Sequence, residues 1–306
     1  AGFLVALRMK GETSDEVIGF ARSMRAHCVQ VKHEIKGEPV LDTCGTGGDG
    51  SCTFNISTIA ALVIAGAGVK VAKHGNRSIS SLCGSADILE GLGVNIALTA
   101  EQMGRCLREV GIAFLFAPTL HPAMRHAQPA RKELKLRTVF NLLGPLTNPA
   151  GANVQLVGAP SIRAAELMAE ALGVLGVQRA FIVHGLDGLD EITTAGETLA
   201  LEIRGGAIAH HTLTPADFGL SAADPLSLKG DDPETNCGIA RAVLEGAPGP
   251  QRDIVLANAS AGLVAAGKAQ GFTEGVELAA RSIDSGAART KLDELARFTT
   301  ALVTAA

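Results

Sequence analysis

Four glycines crowd into the six residues Gly45-Thr46-Gly47-Gly48-Asp49-Gly50. With no Cβ atoms in the way, backbone N–H groups in such a loop can turn toward a bound anion. A polar run follows, Thr53-Phe54-Asn55-Ile56-Ser57-Thr58, at the mouth of an apolar stretch that reads as a helix. Asn55, Ser57 and Thr58 add side-chain donors to the partial positive charge of a helix N-terminus, a setting suited to a pyrophosphate or a ribose phosphate. Other readings compete. An isolated glycine cluster also serves as a tight structural turn. Gly45, Gly47 and Gly50 satisfy the GxGxxG spacing of dinucleotide loops, but that fingerprint needs a ribose-holding acid about 20 residues on, and the next strand ends in Lys73 and His74. A P-loop needs GK[ST], whereas Gly50-Ser51-Cys52 has no lysine.

Lys73-His74-Gly75-Asn76-Arg77 continues through Ser78 to Ser81 into Gly84-Ser85, so two cations and several hydroxyls gather at one strand end and read as a second anion cradle. His74 is as readily an ordinary hydrogen-bonding group as a base. Asp190-Glu191 follows a strand and a glycine-containing turn, and its adjacent hard oxygens suit a magnesium ion carried on pyrophosphate; alone, such a pair is more often a solvated turn. Asn141 to Pro149 (NLLGPLTNP) reads as a rigid apolar loop, a wall for a planar ligand. Arg131 sits on an expected helix, where its guanidinium would grip a carboxylate in two-point fashion if it faced the same cleft; position alone favours a surface charge.

The elements that must position these residues are legible in the spacing. Thr13-Ser-Asp-Glu16 and Thr99-Ala-Glu-Gln102 are capping boxes, opening helices toward His27 and Gly111. Glu38 to Thr43 reads as a buried strand feeding the glycine loop, Ser57 to Gly66 as a buried helix closed by glycine, and Val69 to Lys73 as the next strand. A helix is expected over Pro122 to Leu134. From Val154 the order is strand, helix (Arg163 to Leu175), strand (Arg179 to His184), then mixed elements. The alternation argues for an α/β fold. Residues 1–30 and roughly 99–135 interrupt it without strands of their own, as a small helical domain built from separate segments would.

Composition narrows the class. A chain of 306 residues with 47% hydrophobic content buries a full core. Runs such as Ile59 to Val69 fall short of the roughly 20 residues of a membrane-spanning helix, so no membrane segment is expected. The net charge is −4 and the 27 basic residues are scattered, which disfavours nucleic acid as a partner. Six cysteines without CxxC or His-Cys metal spacing read as free thiols of a reducing cytoplasm. The chain begins at Ala1, and GFLVALR enters without a cap, like the end of a helix whose beginning lies upstream.

Taken together, FLVALRMKGET, DTCGTGGDG with TFNIST, KHGNRSISS with GSADILE, FLFAPTLHPAMRHAQPARKELKLRTVFNLLGPLTNP and VHGLDGLDEI resemble the anthranilate phosphoribosyltransferase family over nearly the whole chain. The resemblance implies an α/β fold of the nucleoside phosphorylase/phosphoribosyltransferase type. A small helical domain (1–36 and 98–135) would join a larger α/β domain (37–97 and 136–306), with phosphoribosyl pyrophosphate (PRPP) in the hinge cleft. It implies two magnesium ions per subunit, a cytoplasmic homodimer formed through the helical domains, and association with anthranilate synthase components.

Carried over by motif, Gly45, Gly47, Gly48, Asp49, Thr53, Asn55, Ser57, Thr58, Lys73, Asn76 and Ser85 are expected on PRPP. Ser57, Asp190 and Glu191 are expected on magnesium. Gly45, His74, Asn76, His121, Arg131 and Pro145 are expected to border anthranilate, with Arg131 holding its carboxylate. No residue is expected to act as a strong base, because an aromatic amine is neutral near pH 7 and needs positioning more than deprotonation. Cys52 and Leu120 depart from what the family commonly carries beside the glycine loop and His121. Nucleoside phosphorylases share the fold, but Asn76-Arg77 and GPLTNP oppose that activity; a pI near 6.1 opposes a diverged nucleic-acid binder.

Overall fold

The computed structural model describes residues 1–47, 49–78 and 82–304. Among these, seven strands form one sheet in the order β3-β2-β1-β4-β5-β6-β7. They are β1 Val40–Asp42, β2 Lys70–Gly75, β3 Ile112–Phe116, β4 Val154–Gly158, β5 Arg179–Gly185, β6 Thr198–Arg204 and β7 Ala207–Leu213. The first five in spatial order are parallel, and β6 and β7 add on antiparallel. Parallel strands are covered on both faces, which is why β4 (VQLVG) is buried at every position.

Successive β5 residues serve opposite layers, as the two-residue period of a strand demands. Phe181 and Val183 join the core that contains helices Ile56–Gly66 and Pro250–Ala265, while Ala180 and Ile182 join the core that contains helix Ile162–Val174. Leu4, Leu7, Val17, Ile18 and Ala21, from helices Gly2–Lys10 and Ser14–His27, pack into that second core. Both capping boxes form as the spacing predicts, at Thr13/Glu16 and Thr99/Gln102.

Three expectations are corrected. The stretch 99–135 is not strand-free: Ile112–Phe116 is β3, and helix Ala100–Glu109 buries Met103, Cys106 and Leu107 in the main core. The segment 98–116 therefore runs with the sheet, its short IAFLF run being too brief for periodicity to tell from a buried helix turn. Asn141 to Pro149 is not a loop throughout: Phe140–Leu146 is helical with Pro145 inside. Only the Asn141 carbonyl loses an intrahelical partner to Pro145, a single bond missing near the end of a seven-residue helix. The expected Pro122–Leu134 helix is a 3-10 turn, Pro122–His126, followed by helix Gln128–Leu134.

No helix of the described residues is long and apolar enough to cross a membrane, and among the described residues none of the six cysteines forms a disulfide.

Candidate active site

The chain returns from β3 and crosses to β4 on the far side of β1, so the connections leaving β1 and β4 diverge. Beyond the carboxyl ends of such strands lies the crevice where open α/β sheets bind ligands. The glycine loop leaves β1 there, Lys73 and His74 end β2, Gly158 ends β4, and Asp190-Glu191 follow β5.

Asp42, the last residue of β1, is fully buried. Its carboxylate accepts from the His74 backbone N–H (3.0 Å) and from Asn148 Nδ2 (2.7 Å), and Asn148 Nδ2 also donates to the Ala72 carbonyl (2.8 Å). Burial pushes the Asp42 carboxyl up to about 6, opposed by Asn148 and Lys73. One side chain thus fastens β1, β2 and the segment entering β4.

Lys73 is buried as well, its Nζ donating to the Thr43 carbonyl and hydroxyl (3.1 Å each) and to Ser57 Oγ (3.4 Å). Burial lowers its pKa from the usual lysine value. Asp190 grips the glycine loop: Oδ2 accepts from the Gly47 N–H at 2.7 Å, and the Asp190 N–H donates to Asp49 Oδ2 at 3.3 Å. Burial, then the Asp49 charge, raises the Asp190 carboxyl to about 7. Burial, then Asp190, raises Glu191 to about 8, against Lys73 and a hydrogen bond with the Ser57 side chain. Withdrawing carboxylates from water and setting them side by side disfavours their charged forms until a cation joins them. Ser57, Asp190 and Glu191 are all hard oxygen donors, the chemistry a magnesium ion selects.

The close approach depends on two glycines. A Cβ on Gly158 would stand 1.6 Å from the Asp190 carbonyl oxygen, and one on Gly45 would stand 3.3 Å from Asp190 Oδ2. The Thr46 N–H donates to the Gly158 carbonyl (3.0 Å), so β4 directly supports the loop. Gly47 and Gly50 take positive φ (64° and 82°), as does the non-glycine Cys52 (54°). Gly48 lies outside the described residues, as do Ile79 to Ser81.

His74 and His121 meet at 3.2 Å between their Nε2 atoms, and His74 Nδ1 lies 3.1 Å from the Gly144 carbonyl. Burial holds both rings neutral, with His74 down to about 3 and His121 to about 4. His121 also lines a pocket of about 310 Å3 with Met24, His27, Met124 and Phe140. The Arg131 guanidinium lies 5.4 Å from the centre of the Phe140 ring, and among the described residues no carboxylate pairs with it. Burial depresses its pKa. Pro145 is buried, and its carbonyl accepts from Gln155 on β4 (2.7 Å).

The other expected residues spread around this centre. Asn55 is partly committed, donating to the Cys83 carbonyl and accepting from Asn236, each at 3.1 Å. Thr53 bridges Lys229 through its backbone, and Thr58 is buried near the Lys73 stem. Ser85 donates to the carbonyl of exposed Asn76 (3.1 Å). In the expected second anion cradle, Arg77 pairs with Asp87 (2.8 Å) and Glu90 (2.5 Å) and Lys73 turns inward, while Ile79 to Ser81 lie outside the described residues. Helix Ser85–Gly91 presents those two acids one turn apart toward Arg77.

Four positions escaped the sequence reading. Arg137 donates to the Gly47 carbonyl (2.7 Å) and its charge favours ionised Asp190. Asn258 clamps Ile192 beside the acid pair through both its side-chain atoms (3.0 and 2.9 Å). Gly158 and Asn236 act through contacts distant in sequence, whereas Arg137 sits inside the RTVFNLLGP run that leads into helix Phe140–Leu146.

Comparison with known proteins agrees with this geometry. Residues 37–289 match the α/β domain of a glycosyl transferase family, and residues 1–28 its helical bundle domain. An anthranilate phosphoribosyltransferase of Solibacter usitatus is 63% identical across 97% of this chain and 88% of its own. The crystal structure of the Thermus thermophilus enzyme superposes with a TM-score of 0.92 at 47% identity, covering 98% of this chain and 89% of the other. The Saccharomyces cerevisiae enzyme, solved in complex with PRPP and Mg, gives a TM-score of 0.90 at 31% identity, covering 98% and 84%. Fold, glycine-loop site and near full-length identity converge: the chain belongs to the anthranilate phosphoribosyltransferase family.

Proposed function

We propose that this chain transfers the 5-phosphoribosyl group of PRPP to the amine of anthranilate, giving N-(5-phosphoribosyl)anthranilate and pyrophosphate in tryptophan biosynthesis. The observation that carries the reading is the Asp190-Glu191 pair, locked against the glycine loop and the buried Lys73-Ser57 contact at the sheet's switch point. Breaking the bond from ribose C1 to pyrophosphate leaves positive charge on the sugar and negative charge on the leaving group. Loop N–H groups and Lys73 oppose that negative charge in a water-poor site, a stabilisation already in place before the bond breaks. Ser57, Asp190 and Glu191 would hold magnesium, which when bound neutralises pyrophosphate oxygens.

The acceptor reading rests on Arg131, a part-buried guanidinium without an acidic partner among the described residues, over the ring of Phe140, which lines a pocket of about 310 Å3. A planar ligand with one carboxylate fits that demand. Asn76 and Ser85 belong to the PRPP side of the reading. A smaller helical unit of residues 1–36 and 98–135 belongs to the same proposal, with β3 of the second segment paired in the sheet. Two magnesium ions per subunit, a homodimer through the helical units, and association with anthranilate synthase components belong to the same proposal. So does the cytoplasm, which suits six cysteines that form no disulfide among the described residues.

Arg131→Ala is expected to raise the anthranilate KM by roughly ten- to a hundredfold, the worth of a charged hydrogen bond to a carboxylate, with a smaller change in the KM for PRPP. Steady-state kinetics in both substrates checks this. An unchanged anthranilate KM in a folded variant removes Arg131 from the site.

A further inference from the structure

Residues 186–197, between β5 and β6, form neither helix nor strand, yet they carry Asp190 and Glu191 and enter the main core at Leu189 and Ile192. Backbone groups withdrawn from water need partners, and no ladder provides them here. Side chains do so instead. Asp187 accepts from the Leu189 N–H (3.2 Å) and from the Thr193 hydroxyl (2.6 Å), and Thr193 Oγ1 accepts from the Ala195 N–H (2.9 Å). Asn258 serves Ile192 at both ends. Its Oδ1 accepts from the Ile192 N–H (3.0 Å) and its Nδ2 donates to the Ile192 carbonyl (2.9 Å), the exchange that a paired strand would make. The amide is otherwise out of place: Asn258 is fully buried in the middle of helix Pro250–Ala265, where leucine would be the better helix former and would have no water to give up. Its remaining bond, from Nδ2 to the Ile254 carbonyl (2.9 Å), stays within its own helix. On the other side of Glu191, the Asp190 backbone lies against Gly158 and its N–H is held by Asp49. Glu191 is thus flanked by two fastened residues, and its carboxylate meets the Ser57 side chain.

We propose that Asn258 and Asp187 are positioning residues for the metal-binding acids, fixing the backbone on the far side of Glu191 so that the pair meets a divalent cation already in place. The inference rests on the reading of Ser57, Asp190 and Glu191 as magnesium ligands. A site whose ligands are held beforehand binds its ion more tightly than one that must order a loop as it binds. Leucine at 258 would keep the size of the side chain but leave the Ile192 N–H and carbonyl without their partners in the core. The segment would then shift toward other partners or water, and the acids would shift with it. Loss of the Asp187 carboxylate would free the Leu189 N–H and the Thr193 hydroxyl at the exposed end of the same loop.

Manganese(II) tests this without turnover, because it shares magnesium's preference for oxygen ligands and its free ion has an electron paramagnetic resonance signal that fades on binding. Titrated into the protein with PRPP present and anthranilate absent, against a protein-free control, Mn2+ should bind Asn258→Leu about tenfold more weakly than wild type. The magnesium concentration at half-maximal rate should rise by a similar factor, with the anthranilate KM as in wild type and the rate recovered at high magnesium. Asp187 is exposed, so Asp187→Ala keeps the fold; it should weaken Mn2+ binding by about threefold or more, and Asp187→Asn, which retains an acceptor for the Leu189 N–H, should restore it. Wild-type Mn2+ affinity in folded Asn258→Leu overturns the inference even if that variant melts at a lower temperature, since the amide then serves the core alone. Should Asn258→Leu fail to fold, wild-type affinity in Asp187→Ala overturns it instead. Wild-type protein that binds no Mn2+, or Asp190→Asn with Glu191→Gln that binds it undiminished, defeats the magnesium reading and this inference with it; wild-type affinity confined to the positioning variants defeats only this inference.

Discussion

Replacing Gly158 with alanine will lower turnover by at least about a hundredfold and destabilise the protein by about 3 kcal/mol or more. The added methyl would sit 1.6 Å from the Asp190 carbonyl oxygen and 2.7 Å from the Asp190 carbonyl carbon, so backbone on one side must move. Both sides matter. The Gly158 carbonyl holds the Thr46 N–H, and Asp190 holds the Gly47 N–H, so any separation of β4 from the acidic segment also pulls the glycine loop apart. Gly238→Ala is the control, since its Cβ would meet nothing within 4 Å in the middle of helix Pro233–Leu244, and it should leave turnover unchanged and add about 0.5–1 kcal/mol of stability. Thermal unfolding and kcat on the two variants decide the matter; wild-type behaviour in Gly158→Ala contradicts the described packing.

Asp190→Asn with Glu191→Gln is the second large effect, a loss of about a hundred- to a thousandfold in kcat/KM for PRPP with little loss of fold. The amides keep the shape and remove the charge that draws a cation. The wild-type titration gives this a pH signature. Burial raises Asp190 to about 7 and Glu191 to about 8, above the carboxylate values of an unfolded chain. Their contribution to stability is therefore fully present below the unfolded values and is lost as pH rises through the folded ones. Magnesium binding requires the deprotonated forms, so it releases protons and offsets that loss. The gain in melting temperature on adding magnesium should grow from about pH 6 to about pH 8.5 in wild type and vanish in the double variant. A gain that is flat with pH speaks against this pair as the ligands.

What the sequence made legible was local. Thr13/Glu16 and Thr99/Gln102 announce their helices because a capping box is completed within four residues. The glycine loop, Lys73 and the acid pair were recognisable because glycine, cation and carboxylate each limit what a strand end can do. The sequence reading failed where distant contacts decide. Arg77 pairs with Asp87 and Glu90, ten and thirteen positions on, and no local pattern announces that pairing. Nothing near Gly158 in the chain says that the Asp190 backbone will lie against it. Asn258 lies in the buried stretch of helix Pro250–Ala265, and only the fold reveals Ile192 at its tip. Pro145 read as a loop residue because its cost to a helix depends on where the helix ends.

The central claim is the transfer of ribose phosphate to anthranilate through magnesium-bound PRPP, and the fluorescence of anthranilate tests it most directly. Incubated with the protein, PRPP and magnesium, anthranilate should lose its fluorescence at a rate proportional to protein. Leaving out PRPP should stop the loss, and removing magnesium with a chelator should stop it reversibly. Loss that continues without PRPP, or no loss with all components and folded protein present, contradicts the account.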